Sequence, residues 1–175
     1  MQQSKDCHGL GDKHSVLKVY IGNRPNFTFA LDSNGTCPVI ADEINAIGNA
    51  CGNGWRKVFN VYAKLMFELP RETFPMQKLH NSWQQYRDNE LFRSLSNTAL
   101  MFTSPITDDI KPTHLSIIMG RTYAKSLILP TSLVWETDAF AIDIEHKLIV
   151  CPYFDYRQLS NMKISYLVKL INRLK

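Results

Sequence analysis

The sequence predicts an α/β fold, a three-layer α/β/α arrangement around a short, mainly parallel central sheet, with an antiparallel hairpin at one edge. Two observations carry this. Short β-branched, apolar runs at 16–21 (VLKVYI), 114–119 (HLSIIM) and 148–150 (LIV) read as buried strands. Between and after them come stretches whose apolar residues recur at helical spacing, and alternation of buried strands with helices is the signature of a layered α/β domain.

Taken in order, residues 1–15 are polar and rich in Gly and His and read as a flexible N-terminal tail, leaving 16–175 as a single α/β domain. The first strand ends at Gly22, and Asp32-Ser33-Asn34-Gly35 is a turn signal. Ile40, Ile44 and Ile47 follow at helical spacing with Asp42 and Glu43 near the start, giving a short helix that ends by Gly48. The next segment, 48–54 (GNACGNG), reads as a loop. Trp55, Val58, Phe59, Tyr62, Leu65 and Met66 then form the clearest amphipathic stripe in the first half, stopping before Pro70.

Met76, Leu79, Trp83 and Tyr86 predict a further helix, and Asp88 caps an expected one carrying Leu91, Phe92 and Leu95. Ser104-Pro105 and Lys111-Pro112 bound a loop. After the strand at 114–119, Gly120 breaks the chain and a helix is expected from Arg121 to Leu129. Phe140, Ile142 and Ile144 alternate with polar residues, as in a half-exposed strand, and Glu145-His146-Lys147 turns it back into 148–150. The last helix, from about Asn161, presents Ile164, Leu167, Val168, Ile171 and Leu174.

Composition bounds the function. A hydrophobic fraction of 45% with 21% charged residues is ordinary for a globular protein, and no apolar run approaches the ~18 residues that span a bilayer. The first fifteen residues lack the apolar core of a secretory signal, so the expected location is cytoplasmic and no membrane association is expected. Cys7, Cys37, Cys51 and Cys151 are irregularly spaced and are expected to be reduced, while Cys7, His8 and His14 match no standard metal-site spacing. No metal and no cofactor are implied. The segment GNACGNG lacks the Lys-Ser or Lys-Thr of a triphosphate-binding loop, and GNRPNF lacks dinucleotide-site spacing.

The net charge of +4 is mild, but its distribution is uneven. From Tyr156 to Lys175 there are Arg157, Lys163, Lys169, Arg173 and Lys175 without an acid, and 53–66 carries Arg56, Lys57 and Lys64 without one. Such asymmetry marks a surface for DNA or another polyanion. Cations also sit in the expected first helical turns at Gly54-Trp55-Arg56-Lys57 and Gly120-Arg121. They are disfavoured there by about 0.3–1 kcal/mol each unless an anion binds.

In parallel sheets ligands sit beyond the C-terminal ends of the strands. Three loops qualify, at 22–27 (GNRPNF), 120–122 (GRT) and 151–161 (CPYFDYRQLSN). The expected ligand-binding set takes Gly22, Arg24, Gly120, Arg121, Tyr153, Tyr156 and Arg157 from these loops, and Arg56 and Lys57 from the helix start. The tyrosines offer base stacking and the cations offer phosphate contacts. Phe154 is assigned to the core, and Ser160 to the cap of the last helix.

The segments Val19-Tyr20-Ile21-Gly22-Asn23-Arg24-Pro25, Ile117-Ile118-Met119-Gly120-Arg121-Thr122-Tyr123-Ala124 and 148–161 followed by the last helix resemble, in that order, motifs of the uracil-DNA glycosylase superfamily. The resemblance implies an α/β/α fold and a nucleic-acid ligand. This chain departs from that family at its catalytic positions. Arg24 stands where an aspartate or asparagine precedes the first proline, and Cys151 where a histidine precedes the last. The resemblance therefore implies binding of nucleic acid or a nucleotide-like anion without the usual catalysis. An active N-glycosidic hydrolase is the alternative, with Asn23, Asn26 or Asp155 holding water. A protein-interaction module, using the Trp55 helix or the hairpin, is a third reading. Oligomeric state is not legible.

Overall fold

The computed structural model describes residues 7–31, 35–74, 79–105 and 110–175. It is an α/β fold with a mixed, largely parallel central sheet flanked by helices. Among the described residues eight strands are joined: β1 (Cys7–Gly11), β2 (Leu17–Tyr20), β3 (Gly35–Cys37), β4 (Thr98–Met101), β5 (Leu115–Met119), β6 (Val134–Trp135), β7 (Ala141–Asp143) and β8 (Leu148–Cys151), in the order β3-β1-β4-β2-β5-β8-β7-β6. The middle strands β4, β2, β5 and β8 are mutually parallel. At one flank β1 runs antiparallel to β4, and at the other β8, β7 and β6 form an antiparallel meander.

Period-two alternation sorts the strand side chains between two unequal cores. Leu17, Val19, Leu100, Ile117, Met119, Ile149 and Cys151 face the larger one. It is covered by α1 (Glu43–Cys51), α2 (Asn53–Glu68), α3 (Trp83–Asn89) and α5 (Asn161–Arg173). Tyr20, Ile118, Leu148 and Val150 face the smaller one, covered by the short α4 (Arg121–Lys125) through Ala124 and by Leu127, Leu129 and Leu133.

The expected strands at 16–21, 114–119 and 148–150 are all present, and the predicted hairpin pairs Ile142 with Ile149 antiparallel. Its turn closes with Lys147 at φ 50, and Asp143 accepts from the His146 backbone N–H at 3.1 Å. The meander strand is more buried than its alternation predicts. Ala141, Ile142 and Asp143 are all buried, and exposure begins at Ile144 beyond them.

Other expectations are corrected. The N-terminal tail is in part a strand: residues 7–11 lie between β3 and β4, with Cys7 and Leu10 buried. Its glycines look like tail composition but are steric requirements. A Cβ on Gly9 would stand 2.5 Å from the Leu100 carbonyl oxygen, and one on Gly11 (φ +127) would stand 2.3 Å from that of Thr98. Helix α1 does not stop at Gly48 but continues to Cys51, so most of GNACGNG is helical. The expected helix at 121–129 ends at Lys125, and no helix carries Leu91, Phe92 and Leu95. Phe92 instead takes a left-handed turn at φ 61 that drops it into the core against Tyr62. The helix expected from Met76 begins, within the described residues, at Trp83 behind a Ser82 cap, whose Oγ accepts from the Gln85 N–H at 3.2 Å. Met76 and the turn at 32–34 lie outside the described residues.

The strand β4 has no counterpart in the sequence-based expectations, although it is the second neighbour of β2. Its buried Thr98 donates its hydroxyl proton to the Leu17 carbonyl at 3.0 Å, and Tyr62 Oη reaches Thr98 Oγ1 at 2.7 Å and the Ala99 carbonyl at 3.1 Å.

Gly11→Ala is expected to destabilise the fold by about 2 kcal/mol or more, from a φ that other residues rarely adopt and a Cβ driven into β4. Urea denaturation checks this; an unchanged midpoint would remove β1 from the cooperative core.

Candidate functional site at the C-terminal edge of the sheet

Because β4, β2, β5 and β8 are parallel and in register, with Tyr20 opposite Met101 and Ile118, and Met119 opposite Cys151, their C-terminal ends form one edge. The three loops singled out from sequence meet there. The Tyr153 hydroxyl donates to Asn23 Oδ1 at 3.2 Å, joining the loops after β8 and β2. The Gly120 N–H donates to the Cys151 carbonyl at 2.8 Å, joining those after β5 and β8. Gly22 is required for this closeness: a Cβ there would lie 3.0 Å from the Tyr123 ring.

A fourth loop, after β4, completes the edge. Phe102 stacks on Phe29 with centroids 6.0 Å apart and meets Trp55 edge-on at 6.1 Å, and Ser104 accepts from the Tyr123 hydroxyl at 3.4 Å. Sequence reasoning missed Phe102, Ser104 and Tyr123. The available signal was the apolar run Ala99-Leu100-Met101-Phe102, which reads as strand once its turn residues are recognised.

The expected cations do not converge on one point. Arg24 is exposed and lies over the rings of Phe29 and Phe102, at 6.0 and 5.8 Å. Lys57, in the second turn of α2, reaches Asp155 at 3.5 Å and the Tyr156 ring at 5.2 Å, and Arg157 lies 5.7 Å from the same ring. Tyr156 is 52% exposed, so the edge carries an open aromatic ring flanked by two cations. Arg121 instead donates to the Asp138 carbonyl at 2.8 Å and covers Trp135, toward the meander. Arg56 turns back to Asn49 and Asn53 and enters a groove between α1, α2 and α3.

Of the candidate catalytic residues, Asn23 and Asp155 have their side chains engaged, whereas Asn26 is reached through its backbone carbonyl. Asn23 holds the Tyr153 hydroxyl, and Asn26, exposed, has its carbonyl within reach of the Cys51 thiol at 3.4 Å. Asp155 caps its own turn, accepting from the Arg157 backbone N–H at 2.9 Å, while its carbonyl accepts from Gln158 and Leu159. That Arg157 N–H, with Lys57 beside it, holds the Asp155 carboxyl below the usual carboxylate range, the wrong direction for a base acting near neutrality. Burial pushes the Cys151 thiol far up, so it is no nucleophile. Burial also raises the Tyr153 hydroxyl, against the hydrogen bond to Asn23. Phe154 is fully buried and meets Tyr62 edge-on at 5.6 Å, as assigned from sequence.

Among the described residues no cluster of three His, Cys, Asp or Glu is placed to hold a metal ion, and no helix is long and apolar enough to cross a membrane. Ser132, Asp143 and His146 do come together, but Ser132 Oγ and His146 Nδ1 both bond the same Asp143 oxygen, at 2.7 and 2.8 Å. Ser132 Oγ also lies 3.2 Å from that same Nδ1, but a ring nitrogen whose proton is directed at Asp143 has no lone pair for the serine, so the trio ties down a buried carboxylate beside the hairpin turn.

A depressed carboxylate stabilises its fold above the unfolded pKa of about 3.9, and the contribution is lost as pH falls through the lower folded value. The Arg157 amide resonance is therefore expected to be constant at neutral pH and to titrate only below about pH 4, with Asp155→Asn abolishing the titration. A midpoint above the ordinary carboxylate range, followed by NMR, would contradict the assigned hydrogen bond.

A family model described as a family of unknown function (DUF6942) matches residues 8–172, and the chain belongs to that family. No curated protein and no solved structure is matched.

Proposed function

For a member of a family of unknown function, whose chemistry has to be read from its own residues, we propose that the C-terminal edge of the sheet binds single-stranded nucleic acid without processing it. The observation that carries this is Tyr156: a half-exposed ring with Lys57, itself paired with Asp155, 5.2 Å and Arg157 5.7 Å from its centroid. An exposed aromatic face with flanking cations suits a base stacked on the ring and phosphates beside it, each stacked base contributing about 1–3 kcal/mol.

Three further features support the reading. Arg24 offers a second exposed cation on an aromatic platform. The N-termini of α2 and α5 lack side-chain caps, and unsatisfied N–H groups favour anions. The packed pair α2 and α5 extends the basic surface away from the edge, with Lys64 reaching Asn161 at 3.5 Å. Base excision has less support, because Asp155 is held as a turn cap of low pKa and Asn23 is taken by Tyr153.

Fluorescence anisotropy with a labelled single-stranded oligonucleotide tests the proposal. Affinity is expected to fall with salt, with a slope of about −0.7 per phosphate contact, and Tyr156→Ala is expected to weaken binding by about tenfold. Arg157→Ala should reduce the salt slope by about one contact. Absence of binding at low salt by folded protein, or a salt-independent affinity, refutes the reading.

A further inference from the structure

The arginine that leaves the sheet edge defines a second place. Arg56 lies in a groove of about 280 Å³ between α1, α2 and α3, floored by Ile44 and Phe59 and bordered by Asp42, Asn45, Asn60 and Arg87. Its guanidinium is oriented by two neutral amides, through Nη1 to Asn53 Oδ1 at 3.0 Å and Nη2 to Asn49 Oδ1. Its stem crosses α1 at Gly48, where a Cβ would stand 2.7 Å from Arg56 Cγ. The chain thus keeps a glycine inside a helix, at a cost of about 1 kcal/mol relative to alanine, where the arginine passes.

The charges along this groove are unequally satisfied. Arg87 is neutralised, bonded to the Asp88 carboxylate at 2.8 Å and to Asn60 at 2.7 Å. Arg56 has no carboxylate partner among the described residues, only the two asparagines, and a guanidinium has five N–H donors. Asp42 has no cationic partner among them either, only the Asn45 amide at 3.5 Å. It precedes α1 in a left-handed conformation, φ 66, and its carboxylate does not cap that helix. One unpaired cation and one unpaired anion thus line the same groove.

We propose that this groove binds a small zwitterion, an α-amino acid or a similar ammonium carboxylate, with the carboxylate on Arg56 and the ammonium on Asp42. The Asn45 and Asn60 amides supply further hydrogen bonds, and the buried Ile44 and Phe59 close the floor of the groove. A phosphate dianion fits poorly, because Asp42 and Asp88 both border the space. The site is separate from the nucleic-acid edge and does not depend on it.

Isothermal titration calorimetry of the full chain against the standard α-amino acids tests this. Propionate, propylamine and inorganic phosphate serve as single-charge and dianion probes. At least one amino acid is expected to bind, with its des-amino and decarboxylated analogues at least about tenfold weaker, since each charged hydrogen bond is worth about 1.5–3 kcal/mol. Arg56→Gln and Asp42→Asn should each weaken binding by about tenfold or more. Asparagine tolerates the left-handed backbone and both side chains are exposed, so these variants are expected to melt like the parent. Arg56→Lys, which keeps the charge without the fork, should fall between parent and Arg56→Gln. Tyr156→Ala should bind amino acids as the parent does. The proposal is overturned if no amino acid binds, if propionate or phosphate binds as tightly as any amino acid, or if Arg56→Gln leaves affinity unchanged.

Discussion

The Tyr62 side chain is the point on which the sheet, the main helix and the edge loop all depend. It is fully buried in α2, and its hydroxyl has one proton to share between Thr98 Oγ1 and the Ala99 carbonyl. Thr98 in turn passes its own proton to the Leu17 carbonyl, so one chain of hydrogen bonds ties α2 to β4 and β2. Burial drives the Tyr62 hydroxyl far above its ordinary pKa, which keeps it neutral and able to donate. The ring meets Phe92 edge-on at 4.7 Å and Phe154 at 5.6 Å. Through Phe154 the same residue anchors the loop that displays Tyr153, Asp155, Tyr156 and Arg157. A polar group buried this deeply is costly unless satisfied, and here each partner is satisfied by another element rather than by its own.

Electrostatics in this chain is organised by what each cation meets, not by how many there are. Lys57 and Arg157 remain at the surface beside an aromatic ring, Arg121 is spent on a carbonyl and an indole, and Arg173 is paired with Glu136 at 2.8 Å. Arg56 and Lys57 are neighbours in sequence, yet α2 directs them to different places, as adjacent positions on a helix lie about 100° apart. Counting cations along the chain therefore overstates how many of them share one surface and conceals the groove that Arg56 enters instead.

The two faces of the sheet are covered differently, and this bears on where function sits. The face under α1, α2, α3 and α5 holds most of the aromatic packing, whereas the other is closed by a five-residue helix and extended segments. The parallel core directs its loops to the edge over α2's N-terminus, where Trp55 packs on Phe102 and Cys51 reaches the Asn26 carbonyl. Rigid elements thus support the loops from beneath, and Glu43, buried at the start of α1, fixes the segment after the β2 loop by accepting from Ala30 at 2.7 Å.

The residue pattern by itself determined the fold class, the strands around Val19, Ile117 and Ile149, the hairpin, and the helices carrying Trp55 and Leu167. The helices show in a 3.6-residue apolar stripe, and the strands in short β-branched apolar runs bounded by turn residues. The pattern also placed Asn23, Gly120 and Tyr153 in loops that meet at one edge, because turn residues following apolar strands mark the end of a parallel sheet. It did not disclose β1 or β4. The glycines of β1 are demanded by backbones on the neighbouring strand, and β4 is a four-residue strand whose threonine is satisfied by a tyrosine far away in sequence. Nor did it separate Arg56 from Lys57, or reveal that Asp155 is a turn cap. Those outcomes rest on contacts between elements, and distance along the chain carries no information about which side chains will share a groove, a ring or a proton.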